Sequence, residues 1–182
     1  DSVLGTAAGM RQGVAEALWH ARGRAAFGKL LVDQPAMTAV LADLALESEA
    51  AMLAGLRLAQ TFADAASDRD VALRRLATPV MKYWVTKRGP HHAAEALECL
   101  GGNGYSESFP LARRYREQPV MAIWEGSGNV IALDVLRALT RDPDSIAAFA
   151  DELDSTRGGS ALLDRHVTRA FALLADIAGD EP

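Results

Sequence analysis

Residues 37–59 read MTAVLADLALESEAAMLAGLRLA, and this stretch decides the fold class. Small and apolar side chains recur along it at spacings of three or four residues, at Met37, Leu41, Leu44, Ser48, Met52, Gly55 and Ala59. Such spacing is the period of an α-helix with one small-to-apolar face. Pro35 suits the first turn of that helix. The pattern therefore predicts a long helix that packs closely against other helices.

Helical patterns cover most of the remaining sequence. Further helices are expected at about 3–27, 71–100, 126–139, 142–154 and 160–178. Gly28 is a natural terminator for the first helix, and residues 29–34 are expected to form a loop. The helix over 71–100 is expected to bend or break near Pro79 and Gly89-Pro90. Residues 105–123 are predicted to be an ordered connection.

These segments define the fold class. Alanine, leucine and arginine are abundant and favour helix, and the chain shows no alternation typical of strands. The prediction is an all-α protein, an antiparallel four-helix up-and-down bundle with additional C-terminal helices. The bundle is expected to occupy residues 1–140 and the extension residues 141–182.

Composition excludes several classes of protein. A formal net charge of -5 offers no bulk electrostatic attraction for nucleic acid. Cys99 is the single cysteine, so no internal disulfide can form and a cytoplasmic location is expected. No apolar run approaches the roughly 20 residues of a membrane span, and no signal peptide is recognised. The abrupt start of the chain indicates a piece of a larger protein.

The first break in the helical pattern is RAAFG at residues 24–28, followed by Gln34. Arg24 could present its donors to a phosphate, and Phe27 could cover an aromatic ring. The alternative is a helix end with a favourable cation and a core phenylalanine.

The second break is ECLGGNGY at residues 98–105. Glycines let a backbone approach a ligand closely, as at pyrophosphate sites. The cluster follows a helix rather than a strand, however, and lacks the dinucleotide-binding fingerprint. A plain helix stop is the alternative.

The third break is IWEGSGN at residues 123–129, just before an apolar helix. A carboxylate at Glu125, between an isoleucine and a tryptophan, would be poorly solvated, which favours a general base. The two glycines leave room for a substrate or cofactor, and Ser127 or Asn129 could cap the next helix. The alternative is an ordinary acidic residue near a helix N-terminus.

Taken together, the three motifs resemble one family. The order R-x-x-F-G, Gln34, L-G-G-N-G-Y and W-E-G-S-G-N resembles the C-terminal domain of acyl-CoA dehydrogenases over residues 3–139. The stretch from Glu98 to Leu136 is most similar to the AidB-like branch, which is linked to the response to alkylation stress. Members of that branch typically have I-W-E-G-S-G-N where ordinary members have I-Y-E-G-T.

The resemblance implies a reaction. In this family a glutamate takes the α-proton of an acyl-CoA thioester while the β-hydrogen leaves as hydride to flavin. Glu125 matches this catalytic base, and Trp124 is expected beside the substrate. The glutamate's own backbone N–H and a flavin hydroxyl polarise the thioester carbonyl in the family.

The resemblance also implies FAD as the cofactor. Arg24 and Phe27 match residues that hold the pyrophosphate and adenine half of FAD from a neighbouring subunit. The other expected FAD contacts are Gln34, Glu98, Gly102, Ser127 and Asn129. Glu98 stands where the family usually has glutamine, so two N–H donors are lost there.

Partners follow from the same resemblance: an acyl-CoA substrate, a homo-oligomer (dimer or tetramer) formed through the bundle, and an electron-accepting flavoprotein. DNA is the alternative partner suggested by the AidB-like branch, although residues from Arg141 onward hold four arginines against nine acidic residues. A purely oligomerising helical module is a further alternative. The isolated chain is expected to bind little FAD and to show no turnover.

The other polar clusters are interpreted as structural. His91 and His92 lie near Glu95, but no Glu-x-x-His pair is present, so no metal site is predicted. Cys99 is expected to be a small buried residue. In the run at residues 113–116, at least one arginine is expected in an ion pair.

Overall fold

The structure is a computed structural model that describes the backbone of residues 1–179 and the side chains of residues 1–175. The helices are α1 (Ser2–Gly23), α2 (Pro35–Gln60), α3 (Asp68–Glu98), α4 (Gly102–Tyr105), α5 (Pro110–Met121), α6 (Gly128–Arg141), α7 (Pro143–Asp154) and α8 (Ala161–Gly179). A hairpin of β1 (Ala25–Ala26) and β2 (Lys29–Leu30) and a 3-10 turn at Leu31–Asp33 follow α1. The all-α prediction is confirmed. None of the described helices has the length and apolar character that a membrane span requires.

One compact unit comprises Asp1–Arg57 and Met81–Ile131. Its core contains Ala17, Ala21, Leu41, Leu44, Ala96, Cys99, Leu100 and Leu111. Small residues set the helix spacing, since a Cβ on Gly13 of α1 would lie 3.2 Å from the Cβ of Ala96 on α3. The predicted face of α2 is confirmed at its centre, where Leu41, Leu44 and Ser48 are buried.

The second compact unit comprises Leu58–Val80 and the described residues from Ala132 onward. Arg75 forms a bidentate pair with Asp134, with both nitrogen–oxygen distances 3.2 Å. Arg69 lies 3.7 Å from Glu152. The predicted boundary at residues 140/141 stays a prediction.

Helix α3 runs without the interruption that its prolines and glycine predict. The predicted break is wrong, and the bend stays a prediction. Gly89 is instead required by packing: a Cβ there would lie 2.6 Å from Gln118 Oε1 and 2.9 Å from Thr6 Cγ2. Pro79 and Pro90 each remove one backbone hydrogen bond. Burial of apolar side chains along the helix offsets that loss, at Leu73, Leu76, Ala77, Val85 and Ala96.

The connection between α1 and α2 also differs from the prediction of a helix to residue 27 and a loop. Helix α1 ends at Gly23, and the chain makes an antiparallel hairpin instead. Phe27 and Gly28 have φ angles of 54° and 82°. Positive φ at both central residues is the geometry of a type I′ turn, which matches the twist of the flanking strands. Strands of two residues are too short to show a periodic pattern.

Residues 105–123 are largely helical rather than a connection. Gly101, at φ 58°, breaks the chain direction after α3, and α4 and α5 follow. Pro110 starts α5 at a position where its missing N–H costs nothing. Helix α6 begins at Gly128, and the segment from Ala122 to Ser127 is left as the turn that carries Glu125.

Candidate functional site

The turn between α5 and α6 holds Glu125 in an unusual backbone conformation. Its φ is 58°, and that of Gly126 is 119°. A side chain other than glycine in the left-handed region costs about 1–2 kcal/mol. Such strain persists only where the surrounding structure holds it, and it is common at functional sites.

Lys82 of α3 holds this turn from the buried side. The residue is only 7% exposed. Its Nζ donates hydrogen bonds to the carbonyl oxygens of Trp124, at 3.0 Å, and Gly126, at 2.5 Å. Burial lowers the pKa of the Lys82 ammonium, and the negative charge of Glu125 acts in the opposite direction.

Sequence reasoning missed Lys82, although a signal for it was present. It is one of three lysines in the chain. It also falls at helical spacing with a stripe of small, apolar and aromatic residues, namely Val85, Gly89, His92 and Ala96. A lysine on the buried stripe of a helix is rare unless its ammonium is paired.

Ser2 of α1 contacts the carboxylate directly. Its hydroxyl donates a 2.8 Å hydrogen bond to Glu125 Oε2, and the serine is 4% exposed. The same turn is therefore fixed at its backbone by α3 and at its side chain by α1.

The expected poor solvation of Glu125 is not found in this chain. Glu125 is exposed. Its apolar neighbours Ile123 and Trp124 are 61% and 49% exposed, so they do not remove water from the carboxylate. That expectation is corrected because the turn directs all three side chains outward.

The start of α6 lies close to α3. A Cβ on Gly128 would be 2.8 Å from Lys87 Cε and 3.2 Å from Tyr83 Cε2. Ser127 and Asn129, expected to contact FAD, are exposed at this end of α6. The Ser127 carbonyl accepts the N–H of Ile131 at 3.0 Å.

The hairpin presents a second candidate surface. Phe27 stands at its tip and is 97% exposed, and Arg24 at its base is also exposed. Gln34 is half-buried, and its Nε2 donates to the Ala26 carbonyl at 3.1 Å. A large ring in a strained backbone conformation and in water is costly unless a ligand or partner covers it.

The third predicted segment lies at the end of α3. Glu98 and Gly102 are both exposed. Gly104, in contrast, is buried, and a Cβ there would lie 2.9 Å from the Leu97 carbonyl carbon. Close packing on the preceding helix therefore explains one glycine of the cluster.

His91 and His92 lie on α3, and Cys99 follows the last residue of that helix. His91 is exposed, and buried His92 donates from Nε2 to the Leu44 carbonyl at 3.0 Å. Cys99 is buried, which raises the pKa of its thiol. Within residues 1–175, no three or more His, Cys, Asp or Glu side chains group in a way that could hold a metal ion.

The arginine run on α5 is fully paired, and the expected ion pair is confirmed. Arg113 and Arg114 lie 2.8 Å and 3.4 Å from Glu117, and Arg116 pairs with Glu107. Each carboxylate offsets part of the positive charge that a phosphate backbone would need.

Comparison with known proteins identifies the family. The model of the acyl-CoA dehydrogenase C-terminal domain matches residues 2–140. The chain is 40% identical over 169 residues to the putative acyl-CoA dehydrogenase AidB of Escherichia coli, covering 93% of this chain and 31% of that protein. It is 30% identical over 165 residues to acyl-CoA dehydrogenase family member 11 of Caenorhabditis elegans, covering 88% and 27%. The chain thus spans less than a third of the length of these relatives.

The structure supports the same assignment. Caenorhabditis elegans ACDH-11, solved in complex with C11-CoA, superposes with a TM-score of 0.81 at 28% identity, covering 94% of this chain and 30% of that one. The predicted family, the resemblance to AidB and the helical-bundle fold class are confirmed. The chain belongs to the acyl-CoA dehydrogenase family, as a C-terminal helical domain.

Proposed function

We propose that the full-length protein is an FAD-dependent acyl-CoA dehydrogenase in which Glu125 is the catalytic base. The observation that carries this proposal is the outward-facing carboxylate of Glu125 on a strained turn, at φ 58°, in a domain of this family. A strained, exposed acid that is held by a buried lysine and a buried serine has the features of a positioned reactive group.

FAD fits the side chains present on the hairpin. Phe27 offers a free aromatic face at 97% exposure, and Arg24 offers an exposed guanidinium for a pyrophosphate. Gln34 ties its amide to the hairpin carbonyl of Ala26, which fixes the loop beside these groups. We assign this surface to the adenine and pyrophosphate half of the cofactor, with Glu98, Gly102, Ser127 and Asn129 as further contacts.

An acyl-CoA is the proposed substrate, because the related ACDH-11 was solved with C11-CoA. The Glu125 carboxylate takes the proton from the α-carbon of the thioester. The Glu125 backbone N–H donates to the thioester oxygen and stabilises the negative charge that develops there. Trp124, half in solvent, covers one side of the acyl group. FAD, when bound, supplies the acceptor for the β-hydride.

Glu125→Gln in the full-length protein tests the proposal. The amide keeps the size of the side chain but cannot take a proton, so kcat should fall about 10²–10⁴-fold, the contribution of a general base. Glu49→Gln is the matched control, because Glu49 is an exposed acid on α2. Activity with a panel of acyl-CoAs that is equal in both variants would remove Glu125 as the base.

The chain alone is proposed to be inactive. Every residue assigned to FAD or substrate except Gln34 is exposed in it, so the isolated domain leaves these cofactor contacts open to solvent. Purified chain should be colourless and should not reduce a dye with acyl-CoA. A yellow preparation that bleaches with acyl-CoA would contradict this.

Self-association is the proposed use of the exposed apolar side chains. The ring of Phe27 and the exposed leucines of α2 (Leu46, Leu53 and Leu56) support a homo-oligomer, a dimer or tetramer, in which one subunit completes the FAD site of another. Light scattering of the full-length protein measures the mass directly. A monomer that retains FAD would contradict the shared site. An electron-accepting flavoprotein and DNA stay predicted partners. The cytoplasmic location also stays a prediction.

A further inference from the structure

Lys82 places a positive charge in a position that solvent barely reaches. It is 7% exposed, and a buried ammonium is costly unless its N–H groups are used. Two of its three donors point at the carbonyl oxygens of Trp124 and Gly126, the residues on either side of Glu125. The lysine therefore binds the backbone on either side of Glu125, and these two N–H groups are not available to a ligand.

The bond to Trp124 has a geometric consequence for Glu125. The carbonyl of Trp124 and the N–H of Glu125 belong to one planar trans peptide, so they point in opposite directions. Holding the oxygen against Lys82 directs the N–H away from α3. A charged donor on the oxygen also polarises the peptide, which makes its N–H a stronger donor.

The bond to Gly126 fixes the other side of the strained residue. Glu125 and Gly126 both have positive φ, at 58° and 119°. Without a tether, the turn could relax toward conformations that Glu125 prefers, and its N–H and carboxylate would turn together. Two hydrogen bonds from one ammonium oppose that relaxation.

We propose that Lys82 is a positioning residue for the reaction: it aims the Glu125 N–H at the thioester oxygen while the carboxylate faces the α-carbon. This rests on the proposed function. In the step concerned, the α-carbon–hydrogen bond breaks and its proton goes to the Glu125 carboxylate. The electron pair of that bond moves onto the thioester oxygen as an enolate, which accepts the hydrogen bond of the Glu125 N–H.

Lys82→Met in the full-length protein tests the proposal, since methionine keeps the aliphatic volume and removes every donor. Misplacing a reacting group by about 1 Å costs about 10²-fold. We expect kcat per bound flavin to fall about 10²-fold with KM changed less than about threefold. Exchange of the substrate α-hydrogen with D2O should fall by the same factor as kcat. If the substitution only unfolded part of the protein, the flavin content would fall while kcat per bound flavin stayed unchanged.

Arg11→Met is the control, since Arg11 is an exposed cation on α1, away from the turn of Glu125. This variant should leave kcat and the rate of α-hydrogen exchange unchanged. Lys82→Arg keeps a cation with several donors and should restore part of the exchange rate. A Lys82→Met protein with unchanged kcat and exchange per bound flavin would overturn the proposal, and so would equal losses in Arg11→Met.

A second measurement separates this proposal from the assignment of Glu125 as base. In the 182-residue chain labelled with ¹³C and ¹⁵N, Lys82→Met should move the carbonyl ¹³C signals of Trp124 and Gly126 and the amide signal of Glu125, whereas Arg11→Met should not. If Glu125→Gln stays active, the proposed function fails, yet the NMR signals still decide whether Lys82 holds the turn. If Glu125→Gln is inactive but those signals do not move, the Lys82 proposal alone fails.

Discussion

Two residues other than glycine have positive φ among the described residues, Phe27 at 54° and Glu125 at 58°, and they are held in different ways. Phe27 stands at the tip of a hairpin of two-residue strands, and its ring touches almost only water. Glu125 stands on a turn that a buried lysine and a buried serine contact from two helices. The conformation of Phe27 is held by its own hairpin, whereas that of Glu125 is held by contacts with distant helices.

The difference in how the two backbones are held indicates which role each residue suits. A locally held hairpin tip can adapt to a ligand or to a neighbouring subunit that covers it. A turn held from α1 and α3 keeps one geometry, which suits a group that transfers a proton. Substitutions can separate these two modes of support.

Gly126→Ala should have the largest effect on stability. The residue combines φ 119° with a Cβ position 3.1 Å from Ile131 Cδ1, so both strain and contact oppose a side chain. We expect a loss of about 2–3 kcal/mol in the free energy of unfolding, measured in urea. Gly23→Ala is the control, because its Cβ would meet nothing within 4 Å, and alanine there should be neutral or slightly stabilising. Equal losses in both would show that the turn is no more constrained than a helix end.

Phe27→Ala should separate binding from stability. The ring is 97% exposed, so the free energy of unfolding of the chain should not fall. In the full-length protein, the loss of a buried aromatic contact should weaken FAD binding by about 1.5–3 kcal/mol, roughly 10- to 150-fold in Kd. Fluorescence titration of apoprotein with FAD measures it.

Phe27→Gly provides the matched comparison for the hairpin. Glycine also removes the ring but accepts positive φ, so it should weaken FAD binding equally while adding about 1 kcal/mol of stability. Undiminished FAD affinity in both variants would exclude the hairpin from the cofactor site.

Acid should weaken the packing of the helix that carries Lys82. Burial lowers the pKa of His92 on α3 from its ordinary 6.5. The unfolded chain therefore takes up a proton at higher pH than the folded chain, and stability is lost as the pH falls below about 6.5. The pairing of Glu47 with Arg88 lowers the pKa of Glu47, so that residue contributes in the same direction only at lower pH, around and below 4.5.

His92→Gln is the test variant, because its amide can still donate to the Leu44 carbonyl. Between pH 7.5 and 5.5, the free energy of unfolding in urea should change less for the variant than for the protein with His92. An identical pH dependence would mean that His92 does not titrate differently on folding.

Ser2→Ala should have the smallest effect. Its hydrogen bond reaches an exposed carboxylate, so we expect less than about 1 kcal/mol in a double-mutant cycle with Glu125→Ala, which removes the acceptor. Coupling above about 2 kcal/mol would mean that the serine, rather than Lys82, is the main support of the turn.

Parts of the fold were predictable because their signal is local and repeated. The face of α2 spans several turns, and its centre is buried as predicted. The hairpin at Phe27 was missed because two-residue strands carry no period. The unbroken α3 was missed because Gly89 serves a contact with Gln118, a residue distant in the sequence.

The candidate site divides in the same way. Glu125 and its glycines were found because the motif is contiguous and resembles that of a family. Its assumed shielding by Ile123 and Trp124 was wrong, since neighbours in sequence do not determine which way a turn faces. Lys82, 42 and 44 residues from its two partners, could be paired with them only in three dimensions.

The sequence by itself determined the helical class, the family and the residue that stands in the position of the base, because periodicity and short motifs are written along the chain. Only the tertiary structure decided that α3 continues through its prolines, that Phe27 is turned into solvent, and that a buried ammonium holds the turn of Glu125. The physical reason is that hydrogen bonds and packing between distant segments depend on distances in space, which linear spacing does not contain.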